Sequence, residues 1–329
     1  MRMNTKILTL SAAVFLALTS TLRGQDANFS QFYANPLYLN PAFAGAFQCP
    51  RVNLNHRNQY PNYSVFQTYS GSYDQYVEAL RGGVGLMVLQ DEAANGILSN
   101  TQVDLMYSYH LKVSRDFSVL AGLQASYRQT SLNWNQLTFP DEIDPFRGAV
   151  LETQESRPEN TNVSNFDVSA GIIGYSRRFY IGIAAHHLTQ PDVSFYVADR
   201  LPVKFTGHAG FTIPLGRKRL ATDIQNFIIP NVVYQRQGPF DQTTLSLAFS
   251  RGAISGGLGF RTTSTNADAV VLMAGYGPED GKWRIGYSYD VSVSSVASNL
   301  GGAHEVSLSY QFPCFNKKKQ LQAINCPKF

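Results

Sequence analysis

Apolar and polar positions alternate with a period of two along most of the chain. Over 305–312, Val306, Leu308, Tyr310 and Phe312 share one side, and Glu305, Ser307, Ser309 and Gln311 share the other. Trp283, Ile285, Tyr287 and Tyr289 alternate with Arg284, Gly286, Ser288 and Asp290. Val103, Leu105, Tyr107, Tyr109 and Leu111 do the same with Asp104, Met106, Ser108 and His110. Such alternation marks strands with one apolar face, because successive side chains leave a strand on opposite sides. Fourteen runs of this kind are read near 51–59, 63–76, 82–90, 97–112, 116–130, 163–176, 179–188, 203–214, 220–235, 241–250, 253–263, 267–276, 282–292 and 302–312.

The connections between these runs sort by parity. Even-numbered ones are short and rich in turn residues: 113–115, 177–178, 216–219, 251–252 and 277–281. Odd-numbered ones include the long insertions 131–162 and 189–202. Short turns at one end and long loops at the other, on an even number of strands, predict an all-β fold: an antiparallel transmembrane β-barrel of fourteen strands. Charge sorts with them. Arg115, Arg177, Arg178, Arg217, Lys218, Arg219 and Lys282 sit at short turns, while Asp141, Glu142, Asp144, Glu152, Glu155, Glu159, Asp192 and Asp199 sit in long loops.

Composition supports a lipid-embedded wall. Charged residues make up 15% of the chain, against roughly 25% in soluble domains. Tyr 18, Phe 21 and Gly 26 are abundant. Mean hydropathy is still slightly negative, at −0.17. Alternation explains this, because lipid-facing and lumen-facing residues cancel in the average. Arg2 and Lys6 followed by the apolar stretch 7–18 read as a secretory signal peptide over 1–24, with cleavage expected before Gln25. No later apolar run reaches the length of a membrane-spanning helix. A net charge of +4 gives no reason to expect nucleic acid as a partner.

Two segments flank the barrel region 49–312. The first, 25–48, is expected in the periplasm or the lumen. It carries the turn signals Asn35-Pro36 and Asn40-Pro41 among Phe29, Phe32, Tyr33, Tyr38 and Phe43. Aromatics this dense need something to pack against. Phe29, Phe32, Tyr33, Asn35, Pro36, Asn40 and Pro41 are therefore the candidate plug or partner contacts. The segment either covers or fills the barrel mouth or docks a periplasmic partner. The second, 313–329, is expected to hang in the periplasm beside the N-terminus. Cys314 and Cys326 are the expected disulfide there. The rival is a bond from Cys49 to Cys314 or Cys326 across the barrel seam.

Catalytic and metal motifs fail on mechanism. The glycine runs 82–85 and 256–259 lack the Lys-Ser/Thr and helix of a phosphate loop. His304-Glu305 has Leu308 where a zinc site needs a second histidine, and lies on a strand. His186, His187 and His208 are set aside as a metal site, since neighbours on a strand point to opposite faces. Asp141, Glu142 and Asp144 read as a solvated or partner-facing loop. Arg128, Arg261 and Arg284 with Asp104, Asp167 and Glu305 are expected to line a polar lumen. No cofactor and no enzymatic activity is expected.

The chain resembles the PorP/SprF family of type IX secretion outer-membrane proteins. The resemblance runs through QDANFSQFYANPLYLNPAFAG from Gln25, LNHRNQYP (54–61), SGSYDQYVEALRGGVGL (70–86), QLTFPDEIDPFRG (136–148), SNLGGAHEVSLSYQFPC (298–314) and CPKF (326–329). It implies a barrel in the outer membrane of Bacteroidetes-type cells, tied to export and gliding machinery. Its implied partners are other secretion components, the lipid bilayer and a secreted adhesin-like client with a C-terminal sorting domain. A porin-like channel for small solutes is the alternative. The family places no catalytic residues.

Overall fold

The computed structural model describes residues 26–61, 66–216, 226–278, 281–293 and 301–314. The signal peptide, Cys326 and most of the C-terminal tail lie outside the described residues. Among these residues, one antiparallel sheet closes on itself as a barrel of fourteen strands. In chain order they are β1 (Arg51–Gln59), β2 (Phe66–Val77), β3 (Gly82–Ala93), β4 (Leu98–Lys112), β5 (Phe117–Leu132), β6 (Asn162–Ser176) and β7 (Phe179–His186). Then follow β8 (Lys204–Phe211), β9 (Asn226–Gln237), β10 (Phe240–Arg251), β11 (Ile254–Thr262), β12 (Ala267–Tyr276), β13 (Trp283–Ser292) and β14 (Ala303–Gln311). Closure is carried by β1 on β14, from Arg51↔Gln311 to Gln59↔Ala303. On the other side β8 pairs with β9, from Lys204↔Gln237 to Gly210↔Asn231.

The strands match the alternation read from the sequence, with one refinement. The run near 203–214 breaks at Thr212, whose N–H turns to the Arg178 carbonyl. It resumes as Ile213–Leu215 against β9. Pro214 lies in that continuation, where it offers no N–H to a ladder.

The wall is inverted relative to a water-soluble protein. Leu105, Leu247 and Leu258 are more than half exposed on the outside, whereas Asp104, Ser108, Ser288 and Glu305 are fully buried inside. A closed barrel satisfies its backbone hydrogen bonds between strands, so it can present this apolar exterior to lipid.

The segment before β1 does not lie beneath the barrel. It runs through it. Asp26 contacts Arg128, His187, Lys204 and Gln237, at the end of the barrel where β5, β7 and β8 meet the long loops. Gly45 reaches Asp74, near the short-turn end of β2. The chain then leaves through Cys49 and enters β1. The two chain termini expected on one side lie outside the described residues. Asp26 sits at the long-loop end, and β14 ends at the short-turn end.

Cys314 is bonded to Cys49, with Cα atoms 4.6 Å apart. This corrects the expected Cys314–Cys326 pairing. The strand register brings the two ends of the barrel wall side by side, so Cys49 just before β1 meets Cys314 just after β14. The bond fastens the seam.

Candidate functional site

The candidate site is the lumen and the segment that occupies it. Asn35-Pro36 opens the short helix α1 (Pro36–Leu39), and Asn40-Pro41 opens a 3₁₀ turn (Pro41–Phe43). Proline suits the first helical position, where its missing N–H and fixed φ cost nothing. The two turns fold the chain into a knot thick enough to meet the wall on opposite sides. The side chain of Asn40 accepts from the Ala42 N–H at 2.9 Å, capping its own turn. Its amide also donates to the Ile183 carbonyl at 3.0 Å and meets His208 Nε2 at 3.0 Å. The Asn35 amide donates to Ser70 Oγ at 2.8 Å.

Toward the short-turn end the packing is mainly apolar, with one buried ion pair, Arg51–Asp74 at 2.9 Å, whose carboxylate also accepts from the Gly45 N–H at 3.0 Å. Phe32, Leu37, Leu39, Ala42, Phe43, Ala44 and Ala46 form one buried cluster with Met87, Met106, Leu120, Ile173, Tyr175, Tyr180 and Val233 of the wall. Burying a side chain such as Leu or Phe contributes about 1.5–3 kcal/mol. The Phe43 ring lies 5.5 Å from that of His208 and 6.1 Å from that of Tyr180. The segment comes so close to the wall that two wall positions need glycine. A Cβ on Gly83 would overlap the Ala44 carbonyl, and one on Gly122 would overlap the backbone of Ala42. The glycine run at 82–85 is thus a seat for the plug.

Toward the long-loop end the packing is ionic. The Ser30 N–H donates to Glu305 Oε2 at 2.8 Å, and the Gln31 N–H to Glu305 Oε1 at 3.0 Å. Ser30 Oγ donates to Asp290 at 2.7 Å. Arg57 bridges Asp290 at 2.8 Å and Glu305 at 3.2 Å, and Arg261 reaches Asp290 at 2.8 Å. All four of these charged groups are buried. Buried charges are tolerated only when paired and hydrogen-bonded.

On the far side of the lumen Asp26 sits among Arg128 at 3.2 Å, His187 at 2.6 Å and Lys204 at 3.7 Å. Burial alone would raise the Asp26 carboxyl, but His187, Lys204 and Arg128 hold it well below the usual carboxylate range. Burial alone would lower His187, yet Asp26 and Asp167 push it up to about 9.

All seven residues singled out before β1 are thus inside the barrel. Phe29, Phe32, Asn35 and Asn40 are buried, and so are Pro36 and Pro41 at the starts of their turns. Tyr33 is partly buried beside Phe32, with ring centroids 5.6 Å apart. The segment is seated in the lumen. Of the expected lumen residues, Arg128, Arg261, Asp104, Asp167 and Glu305 are buried, and Arg284 lines a crevice at the short-turn mouth with Tyr33, Phe47 and Arg51. Sequence reasoning missed Asp26, Ser30, Arg57 and Lys204. Their signal was faint: single polar residues whose partners lie more than a hundred positions away, apart from the Ser30–Arg57 contact at a separation of 27.

The argument from alternation against His186 and His187 sharing a face also fails. The strand stops at His186, and His187 takes a left-handed conformation with φ of 59°. Both rings face inward, and Asp167 and Asp26 bracket His187 at 2.6 Å each. His187 is a latch for the plug. Among the described residues no group of three or more His, Cys, Asp or Glu is placed to hold a metal.

Similar solved structures include the Acinetobacter baumannii outer membrane protein Omp33, 10% identical, with a TM-score of 0.44, covering 82% of this chain and all of that one. The TodX ΔS2S3 mutant monoaromatic hydrocarbon channel is 11% identical, with a TM-score of 0.44, covering 84% and 94%. A Pseudomonas aeruginosa FadL homologue is 14% identical, with a TM-score of 0.40, covering 83% and 93%. No curated protein matches the chain. The family model of the type IX secretion system membrane protein PorP/SprF matches residues 21–310. The family describes a secretion component, which implies partnership with other secretion components. The chain, an outer-membrane β-barrel, belongs to the PorP/SprF family of type IX secretion system membrane proteins.

Proposed function

We propose that this barrel is a companion of a secreted client, assisting its export or holding it at the cell surface, and that it does not serve as a solute pore. The observation that carries the reading is the occupied lumen. Residues 26–48 fill it with apolar packing at one end and paired charges at the other. A porin needs an open aqueous path. A barrel that spends its interior on its own chain offers its loops and rims to partners instead. In this reading the short, basic turns face the periplasm and the remaining secretion components. The long acidic loops face outward, toward an adhesin-like client. Asp26 then lies near the outer mouth, and β14 ends in the periplasm.

A deletion strain tests this. Surface display of one client should be lost while other secreted proteins remain exposed. The purified barrel should give little steady conductance in a planar bilayer. Large, stable conductance with display intact in the deletion strain would establish the porin reading instead.

A further inference from the structure

The longest loop is built as a projecting element. Phe139 and Trp134 rings lie 4.8 Å apart at its base. A 3₁₀ turn (Pro140–Glu142) leads into a two-stranded hairpin, Ile143–Asp144 against Gly148–Ala149. Three carboxylates hold this shape. Glu142 accepts from the Phe139 N–H at 3.0 Å. Asp144 accepts from the Phe146 and Arg147 N–H groups at 2.8 and 2.9 Å. Asp141 accepts from the Gln154 N–H at 2.7 Å and from Thr153 Oγ1 at 3.0 Å. Hydrogen bonds from backbone and side chain hold Asp141 below the usual carboxylate range. The neighbouring long loop braces it, with Tyr196 Oη donating to the Ser156 carbonyl at 2.8 Å.

What this scaffold presents is apolar. Phe146 at the hairpin tip is 97% exposed, and Val150 and Leu151 are more than half exposed. On the bracing loop Tyr196 is 65% and Val197 is 81% exposed. A loop that only had to be soluble would not hold a phenylalanine out on a braced tip. Around these groups the charge is one-sided. Residues 133–161 and 188–203 together carry eight acids and three arginines, with no lysine.

We propose that the hairpin at 140–151 is the element that grips the secreted protein partner, and that this partner presents an apolar socket rimmed by lysine and arginine. The inference rests on the reading of the barrel as a client companion. Charge selects the occupant. A second copy of this chain would bring the same acids to the same place, and like charges opposed across an interface cost several kcal/mol. An anionic lipid surface is disfavoured for the same reason. A basic protein surface satisfies both the exposed ring and the acids around it, and rim charges set its rate of capture.

The test uses the full-length barrel in living cells. A photocrosslinking amino acid replaces Phe146, and the adduct is mapped by mass spectrometry. A lipid-facing position, Leu105, serves as control. The expected adduct joins residue 146 to a secreted protein, within a segment rich in Lys and Arg. The charge reversals Glu152→Lys, Glu155→Lys and Glu159→Lys combined should cut its yield at least tenfold. They should leave the heat-induced gel shift of the folded barrel unchanged. Adducts to a second copy of this barrel or to lipid only would overturn the proposal, as would a yield indifferent to charge reversal. Phe146→Asp should likewise abolish display of the client. Display lost in the deletion strain but intact in Phe146→Asp overturns the hairpin and leaves the companion reading standing. Display intact in both overturns the reading itself.

Discussion

The two ends of the lumen hold the same segment by different physics. Near the short turns, Leu37, Phe43 and Ala46 are packed against Met87, Leu120 and Ile173. Near the long loops, residues 26–31 are held by Arg57, Asp290, Glu305, Arg128, His187 and Lys204. Apolar contact is indifferent to protonation and grows with the area removed from water. Paired buried charges depend on every partner being present and correctly ionised. The short-turn end, where the Arg51–Asp74 pair is the exception to apolar packing, is therefore a permanent seat. The long-loop end is a latch whose strength follows composition and pH.

The largest effect should come from breaking the latch at its hub. Arg57→Met leaves Asp290 and Glu305 buried without the cation that pairs both of them. Removing one member of a buried charge set costs about 3–5 kcal/mol. The unfolding midpoint of the purified barrel in denaturant should drop accordingly, and a shift under 1 kcal/mol would show that the network is dispensable. Truncating the seat by Leu37→Ala comes next, at about 2–5 kcal/mol for a fully buried leucine. Its loss should be the same at pH 6 and pH 10. A pH-dependent loss would mean that the two ends are not separable.

The seam bond ranks third. Reduction of Cys49–Cys314 should lower the midpoint by about 2–4 kcal/mol. Non-reducing peptide mapping should find those two cysteines linked, and a Cys314–Cys326 peptide would contradict the seam.

The smallest effect distinguishes the ends most cleanly. The pKa of His187 is raised in the fold, so its contribution is fully present below its unfolded value of about 6.5. It is lost as pH rises through about 9. The pKa of Asp26 is lowered, so its contribution is present above about 3.9 and fades as pH falls through the depressed value. The latch is therefore tightest from about pH 4 to about pH 6.5 and weakest above about pH 9. Hydrogen exchange, corrected for its intrinsic pH dependence, should accelerate at the Asp26 and Ser30 amides above pH 9. It should not change at Phe43 and Ala46. Equal acceleration at all four would erase the distinction.

The wall was legible in the sequence because its cause is local. Alternation is a property of neighbours, so β1 and β12 were read with the bounds they have and the other strands within a few residues, save β9, whose expected start at 220 lies outside the described residues. The parity of loop lengths then fixed closure and strand number. What was not legible depends on distance. Cys49 meets Cys314 only once the stagger of β1 on β14 is known. His187 turns inward because the backbone enters a left-handed conformation, which alternation cannot foresee. The aromatic segment before β1 announced that it must be buried. The path it takes through the lumen, placing Asp26 at the long-loop end, depends on Arg128 of β5, His187 just past the end of β7 and Lys204 of β8. The glycine run at 82–85 stood out without any sign of what approaches Gly83, and Gly122 did not stand out at all.

The central claim is that residues 26–48 occupy the lumen. Asn35 and Ser70 test it most directly, since their side chains touch at 2.8 Å deep inside the barrel. Cysteines placed at both positions should cross-link in native membranes, giving a peptide spanning residue 35 joined to one spanning residue 70. The result that would contradict the account is two free thiols, with the one at position 35 open to a membrane-impermeant maleimide.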